Sequence, residues 1–180
     1  FTCYKYSTNC PCIHFIRMVL STIFIRLGRV NMRVVLQRCL NASVEIDHDV
    51  VGAVGRGVML LVGVAPDDSI KDIEWMCNKV IGLRIFPDSD GKMNHSVIDI
   101  NGEILVVSQF TLYGNCRKGR RPSFTRAGHP SMAEPLVDKF CRLLRSKGVS
   151  KVAEGRFGAD MKVSLTNDGP VTLIIDTPEK

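Results

Sequence analysis

The chain has 180 residues, of which 45% are hydrophobic and 23% charged, a balance that argues against disorder over most of its length. Nowhere is there an uncharged apolar run long enough for a membrane-spanning helix, and there is no Gly-X-Y period or fixed longer repeat, which excludes collagen and solenoids. The net charge of +6 sits mainly at the start: residues 1–31 hold Lys5, Arg17, Arg26 and Arg29 and no acid, so from Met32 onward 20 basic residues face 18 acidic ones.

That first stretch differs from the rest. Thr2, Ser7, Thr8, Ser21 and Thr22 add hydroxyls to it, the composition of a transit peptide. Arg17 and Arg26 fall on opposite sides of a helical wheel, however, which spoils an amphipathic face. Met18–Ile25 is apolar but short, and Arg26 follows it with no Ala-x-Ala site, so a secretory signal is disfavoured. Residues 1–31 are read as an extension, either targeting or disordered, and residues 32–180 as one domain.

In the body, RVVLQRCL at 33–40 and ASVEI at 42–46 read as strands. Asp47-His48-Asp49 turns the chain into Val50–Val54. After Gly55-Arg56-Gly57, the unbroken apolar run Val58–Val64 predicts a buried strand. Asp67 or Asp68 is expected to cap a helix carrying Ile70, Ile73, Met76, Cys77, Val80 and Ile81, which Gly82 can end. Pro87–Gly91 is a loop. Glu103–Tyr113 reads as one long strand with a polar end. Ser131 and Glu134 form an expected capping box for a second helix through Ser146, with Leu136, Val137, Phe140, Leu143 and Leu144 inward and Gly148 at its stop. Met161–Leu165 and Val171–Asp176 are two further strands. Many strands, two helices and few crossovers predict an α+β fold, a curled mixed sheet with a barrel-like core and peripheral helices. The absence of Gly-x-Gly-x-x-Gly between a strand and a helix disfavours a Rossmann sheet.

Several chemistries are not indicated. There is no Gly-x-Ser-x-Gly elbow, and His14, His48, His95 and His129 are not paired with a nucleophile or spaced to bind metal. The seven cysteines form no CxxC pair, and Cys77 and Cys141 fall on apolar helix positions, as expected of buried thiols in a reducing compartment. No metal and no cofactor is expected. Between Ile104 and Ala133 there is no acid, yet Arg117, Lys118, Arg120, Arg121 and Arg126 crowd around Phe124. That run is either a solvated basic loop or a phosphate-contacting one. Ser108-Gln109-Phe110-Thr111-Leu112 ends an apolar strand, where alternation would set Gln109 and Thr111 on one face and Ser108 and Phe110 on the other. Asn167-Asp168-Gly169-Pro170-Val171-Thr172 reads as a hairpin turn.

SQFTL at 108–112 and NDGPVT at 167–172 resemble the Ser-Gln-x-x-Leu and Asn-x-Gly-Pro-x-Thr motifs of the D-aminoacyl-tRNA deacylases. LQR at 36–38, RIFPDSDGKMN at 84–94, RPSF at 121–124 and ADMKVSLTNDGP at 159–170 extend the resemblance over about residues 32–177, and residues 1–31 take no part in it. The resemblance implies a homodimer with its active site between subunits, acting on the ester of D-aminoacyl-tRNA and on glycine carried by a mismatched tRNA, as a proofreading step in translation. It implies that Gly169-Pro170 is a cross-subunit Gly–cisPro element that excludes L-aminoacyl esters, and that Arg38 braces it, with Asn167 and Thr172 supporting. It places Ser108, Gln109 and Phe110 near the terminal adenosine and makes Thr111 a candidate nucleophile; because no general base is visible in the sequence, assistance by the RNA's own 2′-hydroxyl is the rival mechanism. The basic run would then grip tRNA. Aminoacyl-tRNA and a second copy of the chain are the implied partners, with no membrane. The implied location is the cytoplasm, or a chloroplast or mitochondrion should residues 1–31 be a transit peptide. Two readings stand beside this one: a nucleic-acid-binding module without catalysis, and an L-alanyl-tRNA editing enzyme, against which the two intact motifs speak.

Overall fold

The computed structural model describes residues 31–179, so residues 1–30 of the expected extension lie outside the described residues. The two N-terminal strand segments are one strand, β1 (Arg33–Ile46), in which Val34, Leu36, Ala42, Val44 and Ile46 are buried by alternation. Between the two halves Arg38 and Cys39 are both buried and Leu40 and Asn41 exposed, and the pairing register against the C-terminal strand shifts there. The irregularity bends β1 so that one edge serves two antiparallel partners: β2 (Asp49–Val54) along Ala42–Ile46 and β3 (Gly57–Gly63) along Arg33–Cys39.

From β3 the chain crosses through α1 (Ile70–Gly82), a short hairpin of β4 (Phe86–Pro87) and β5 (Met93–His95), and back to β6 (Glu103–Ser108), parallel to β3. It then crosses through α2 (Pro130–Ser146) to β7 (Lys151–Glu154), parallel to β6. Last comes β8 (Lys162–Asp176) on the free edge of β1. The main path runs β2-β1-β3-β6-β7. Its two ends meet: a Cβ added at Gly52 of β2 would lie 2.8 Å from the Glu154 carbonyl of β7. The sheet is therefore a mixed, nearly closed barrel, as expected. Cys39, Val44, Val54, Met59, Leu105 and Val107 form its interior cluster. Leu36, Leu60, Val62, Ile104 and Val106 form the second core with Ile73, Met76 and Val80 of α1 and Val137, Phe140 and Leu144 of α2. No helix among the described residues is long and apolar enough to cross a membrane.

Both helix caps differ from expectation. Ser69, not Asp67 or Asp68, starts α1, because the Asp72 carboxylate reaches back to the Ser69 N–H at 2.8 Å and its hydroxyl at 2.6 Å. The Asp68 carboxylate accepts from Met32 N at 3.0 Å and Ala65 N at 2.7 Å instead. Ile70 is exposed rather than inward. At α2 the cap is His129, with Pro130 in the first turn, so Ser131 lies one step inside the helix. The hairpin β4–β5 and strand β7 were too short to show a period.

Cys39, Cys77, Cys116 and Cys141 are free thiols. Burial pushes Cys39 and Cys77 up to about 11 from an ordinary value near 9, and raises Cys141 and Tyr113 too. In this window the native state holds protons that the unfolded chain has lost. Stability from these groups is therefore complete below about pH 9 and falls as pH rises toward 11. Urea midpoints measured across that range should decline, and a flat profile would contradict the burial of the thiols.

Candidate active site

The strand expected to run to Tyr113 ends at Ser108. Gln109 donates its backbone N–H to Val62 O at 2.7 Å, and the chain then winds into a 3₁₀ turn over Phe110–Tyr113. Gly63, at the end of β3, makes the bend possible: a Cβ there would lie 3.0 Å from the Tyr113 ring. The Tyr113 hydroxyl sits 2.8 Å from Asn31 O and 2.9 Å from Gly63 O, anchoring the turn from below. Tyr113→Phe should cost about 1 kcal/mol in denaturant unfolding, the worth of a lost hydrogen bond. Strand alternation thus fails beyond Ser108. Gln109 Nε2 donates to Thr111 Oγ1, a contact along the turn rather than across a strand face.

Ser108, Gln109 and Phe110 form one wall of a cleft of about 630 Å³, while Thr111 is exposed and is not part of its lining. Val62, Val64 and Val107 make an apolar floor, and Phe157, Met161 and Val163 a facing wall. A mainly apolar cleft with a few placed polar groups is the usual form of a small-ligand site. Phe124, His129 and Asp160 also line it. The His129 ring accepts from Ser131 N at 3.4 Å and lies 2.9 Å from Ser131 Oγ, so this histidine caps α2. Sequence reasoning missed His129 and Phe157 as lining residues. Neither lies on a periodic segment or within a segment that carries the family resemblance. Among the described residues no group of three or more His, Cys, Asp or Glu could hold a metal ion.

The second motif is not a hairpin. The segments Lys162–Asn167 and Thr172–Asp176 are collinear parts of β8, both antiparallel to β1. Gln37 faces Thr172 and Cys39 faces Asn167, so two steps on β1 span five on β8, and Asp168–Val171 bulge outward. Asn167 staples the bulge, its Nδ2 donating to Thr172 Oγ1 at 3.0 Å and its Oδ1 accepting from Val171 N at 3.2 Å. Beneath it lies Arg38, only 7% exposed. Its Nε is 2.9 Å from an Asp168 oxygen without an aligned hydrogen bond, its Nη1 donates to Ile85 O, and its guanidinium stands 6.0 Å from the Phe86 ring centre. Gly169 has φ +114°, and a Cβ on it would lie 2.9 Å from Arg38 Nη2. The Gly169–Pro170 peptide is cis and exposed.

The two motifs are brought to different places. Arg38 pairs with Val58 on β3, whereas the cleft begins at Val62 and Ser108. Neither Gly169 nor Pro170 is among the residues lining the cleft of the same chain. Within one chain the Gly169-Pro170 bulge does not reach the cleft.

The basic run is an exposed hairpin closed by the bridge between Asn115 and Ser123, with N–H···O distances of 2.8 and 3.1 Å. Arg117, Lys118, Arg120 and Arg121 project from it, and Arg126 lies beyond Phe124. The hairpin's base abuts the cleft, because the Phe124 ring packs edge-to-face on Phe110 with centroids 5.2 Å apart.

The family model described as D-Tyr-tRNA(Tyr) deacylase matches residues 35–176. A D-aminoacyl-tRNA deacylase of Thermotoga petrophila is 56% identical over 146 residues, covering 81% of this chain and 97% of the relative. One of Brevibacillus brevis is likewise 56% identical, covering 81% of this chain and 100% of the relative. Among solved structures, the c-Myc DNA unwinding element binding protein matches with a TM-score of 0.77 and 39% identity over 81% of this chain and 99% of that one. A probable eukaryotic D-amino acid tRNA deacylase matches with a TM-score of 0.71 and 21% identity over 82% of this chain and 100% of that one, a likeness of fold.

Proposed function

The chain belongs to the D-Tyr-tRNA(Tyr) deacylase family, and from that premise we propose that it hydrolyses D-aminoacyl-tRNA to free tRNA and a D-amino acid. Glycine carried on mismatched tRNA-Ala is the further substrate. The observation that carries the reading is the pairing of an apolar cleft, walled by Ser108–Phe110, with an exposed cationic hairpin at its mouth. The cleft suits the aminoacyl end and the hairpin suits the phosphates behind it.

The separation of the Gly169-Pro170 bulge from its own cleft supports a homodimer in which each subunit lends the bulge to its partner. Rigid main-chain carbonyls from the bulge would accept hydrogen bonds from the substrate ammonium group and crowd the direction in which an L side chain points. Water adds to the ester carbonyl, the acyl C–O bond breaks, and the ribose oxygen leaves with a proton. The two titratable side chains of the cleft lining are engaged elsewhere, His129 Nδ1 at 2.9 Å from Ser131 Oγ and the Asp160 carboxylate accepting from Lys162 Nζ at 2.8 Å, so the neighbouring ribose 2′-hydroxyl is taken as the assisting group. The protein's part is positioning and oxyanion stabilisation by backbone N–H groups. Thr111, exposed and bonded by Gln109 outside the cleft lining, fits a supporting role better than that of a nucleophile. Thr111→Val should leave single-turnover cleavage near normal, whereas loss of a true nucleophile costs orders of magnitude. Trapping an aminoacyl-enzyme would reverse this assignment.

The deciding assay compares D-Tyr-tRNA with L-Tyr-tRNA. Rapid loss of the D ester alone is expected, and equal rates would sink the chirality argument. The 39% identity to a protein named for DNA binding favours one second reading, a nucleic-acid-binding module without catalysis. Retained tRNA binding with no hydrolysis of either ester would select it. The proposed activity belongs in the cytoplasm, or in an organelle should residues 1–31 be a transit peptide, which the N-terminus of the mature protein tests.

A further inference from the structure

Phe110 and Phe124 are large apolar side chains left 57% and 37% exposed at the rim of the cleft. Their rings meet at an interplanar angle of 74°, an edge-to-face contact. The Phe124 ring is held in place from behind: a Cβ added at Gly114 would lie 3.1 Å from it, and the Asn115–Ser123 bridge locks the chain one residue before it. It is a preorganised aromatic surface, set between a cleft and a hairpin with four exposed cations. No acid occurs from Ile104 to Ala133, so whatever lies along this surface is expected to be anionic.

We propose that Phe110 and Phe124 form a stacking platform for one unpaired nucleobase of the substrate's 3′ strand, the base next to the terminal adenosine. The inference rests on the tRNA reading above and adds a positioning residue, Phe124, that neither signature motif contains. With the terminal nucleoside and its ester in the cleft, the preceding base emerges at the rim, where the rings are. The phosphates behind it then run toward Arg117, Lys118, Arg120 and Arg121. Aromatic stacking accepts any base, so the platform fixes the strand's path without restricting the tRNA's identity.

The test uses a short single-stranded RNA with the fluorescent base 2-aminopurine placed next to its 3′-terminal adenosine. Full-length wild-type protein should quench it, Phe124→Leu should bind it about tenfold more weakly with little quenching, and Phe124→Tyr should restore both, in the range a stacked base supplies. In parallel, the ratio of kcat/KM for D-Tyr-tRNA to that for D-Tyr-adenosine, which lacks the neighbouring base, should fall about tenfold in Phe124→Leu, mostly through KM. Unchanged quenching, an unchanged ratio, or a change in oligomeric state in place of RNA binding would each overturn the platform. A wild-type protein that quenches the RNA but cleaves neither ester would instead sink the deacylase reading and leave the platform standing.

Discussion

Arg38→Met is expected to lower stability by about 2–3 kcal/mol and kcat/KM by about 10²-fold. The side chain is a buried cation compensated by two groups, the Asp168 carboxylate and the Ile85 carbonyl. Methionine fills much of the volume but leaves that carbonyl without its donor and Asp168 without its counter-charge. Breaking a fully buried pair costs about 3–5 kcal/mol, and Asp168, about one-third exposed, recovers part of this from water. The kinetic loss has a separate origin. Arg38 Nη2 lies where a side chain on Gly169 would begin, so removing the guanidinium frees the bulge to shift, and a displacement of about 1 Å at a positioning element is enough for such a loss. Arg38→Lys should not rescue, because one ammonium cannot span both partners as the planar fork does. Asp168→Asn, which keeps an acceptor, should cost less than Arg38→Met. Urea unfolding and single-turnover deacylation measure the two effects independently; a variant normal in both removes Arg38 from the bracing role.

Reversing two charges in the hairpin, Arg120→Glu with Arg121→Glu, should weaken tRNA binding by about 10²-fold at low salt and flatten the slope of log K against log salt by about 2. Both side chains are exposed, so the melting temperature should barely move. The preference for D over L esters should persist, since the hairpin lies outside the cleft. Measuring affinity from 50 to 200 mM salt separates a true phosphate contact from a solvated loop, whose reversal would change neither affinity nor slope.

Much of this architecture is written locally. The apolar run at Val58–Val64, the helical spacing through Ile73–Val80 and Val137–Leu144, and the predominance of strands follow from side-chain period, and period tracks which face is buried. The two motifs and the acid-free basic run are legible as well, because they consist of residue types that a core does not need. Three matters depended on partners distant in the chain. The break after Ser108 needs Val62 O to capture Gln109 and the bare Gly63 to admit Tyr113, so alternation through Gln109 and Thr111 was no guide. Whether Asn167–Thr172 is a hairpin turn or a bulge depends on which strand its flanks pair with, and both flanks pair with β1. The rim of the cleft brings together Phe110, Phe124, His129 and Phe157 from separate loops and element ends. Sequence determined the elements and the chemistry they carry, because burial period and residue type are local properties. Tertiary structure decided which groups share a site, because strand pairing and ring packing join residues that no local pattern connects.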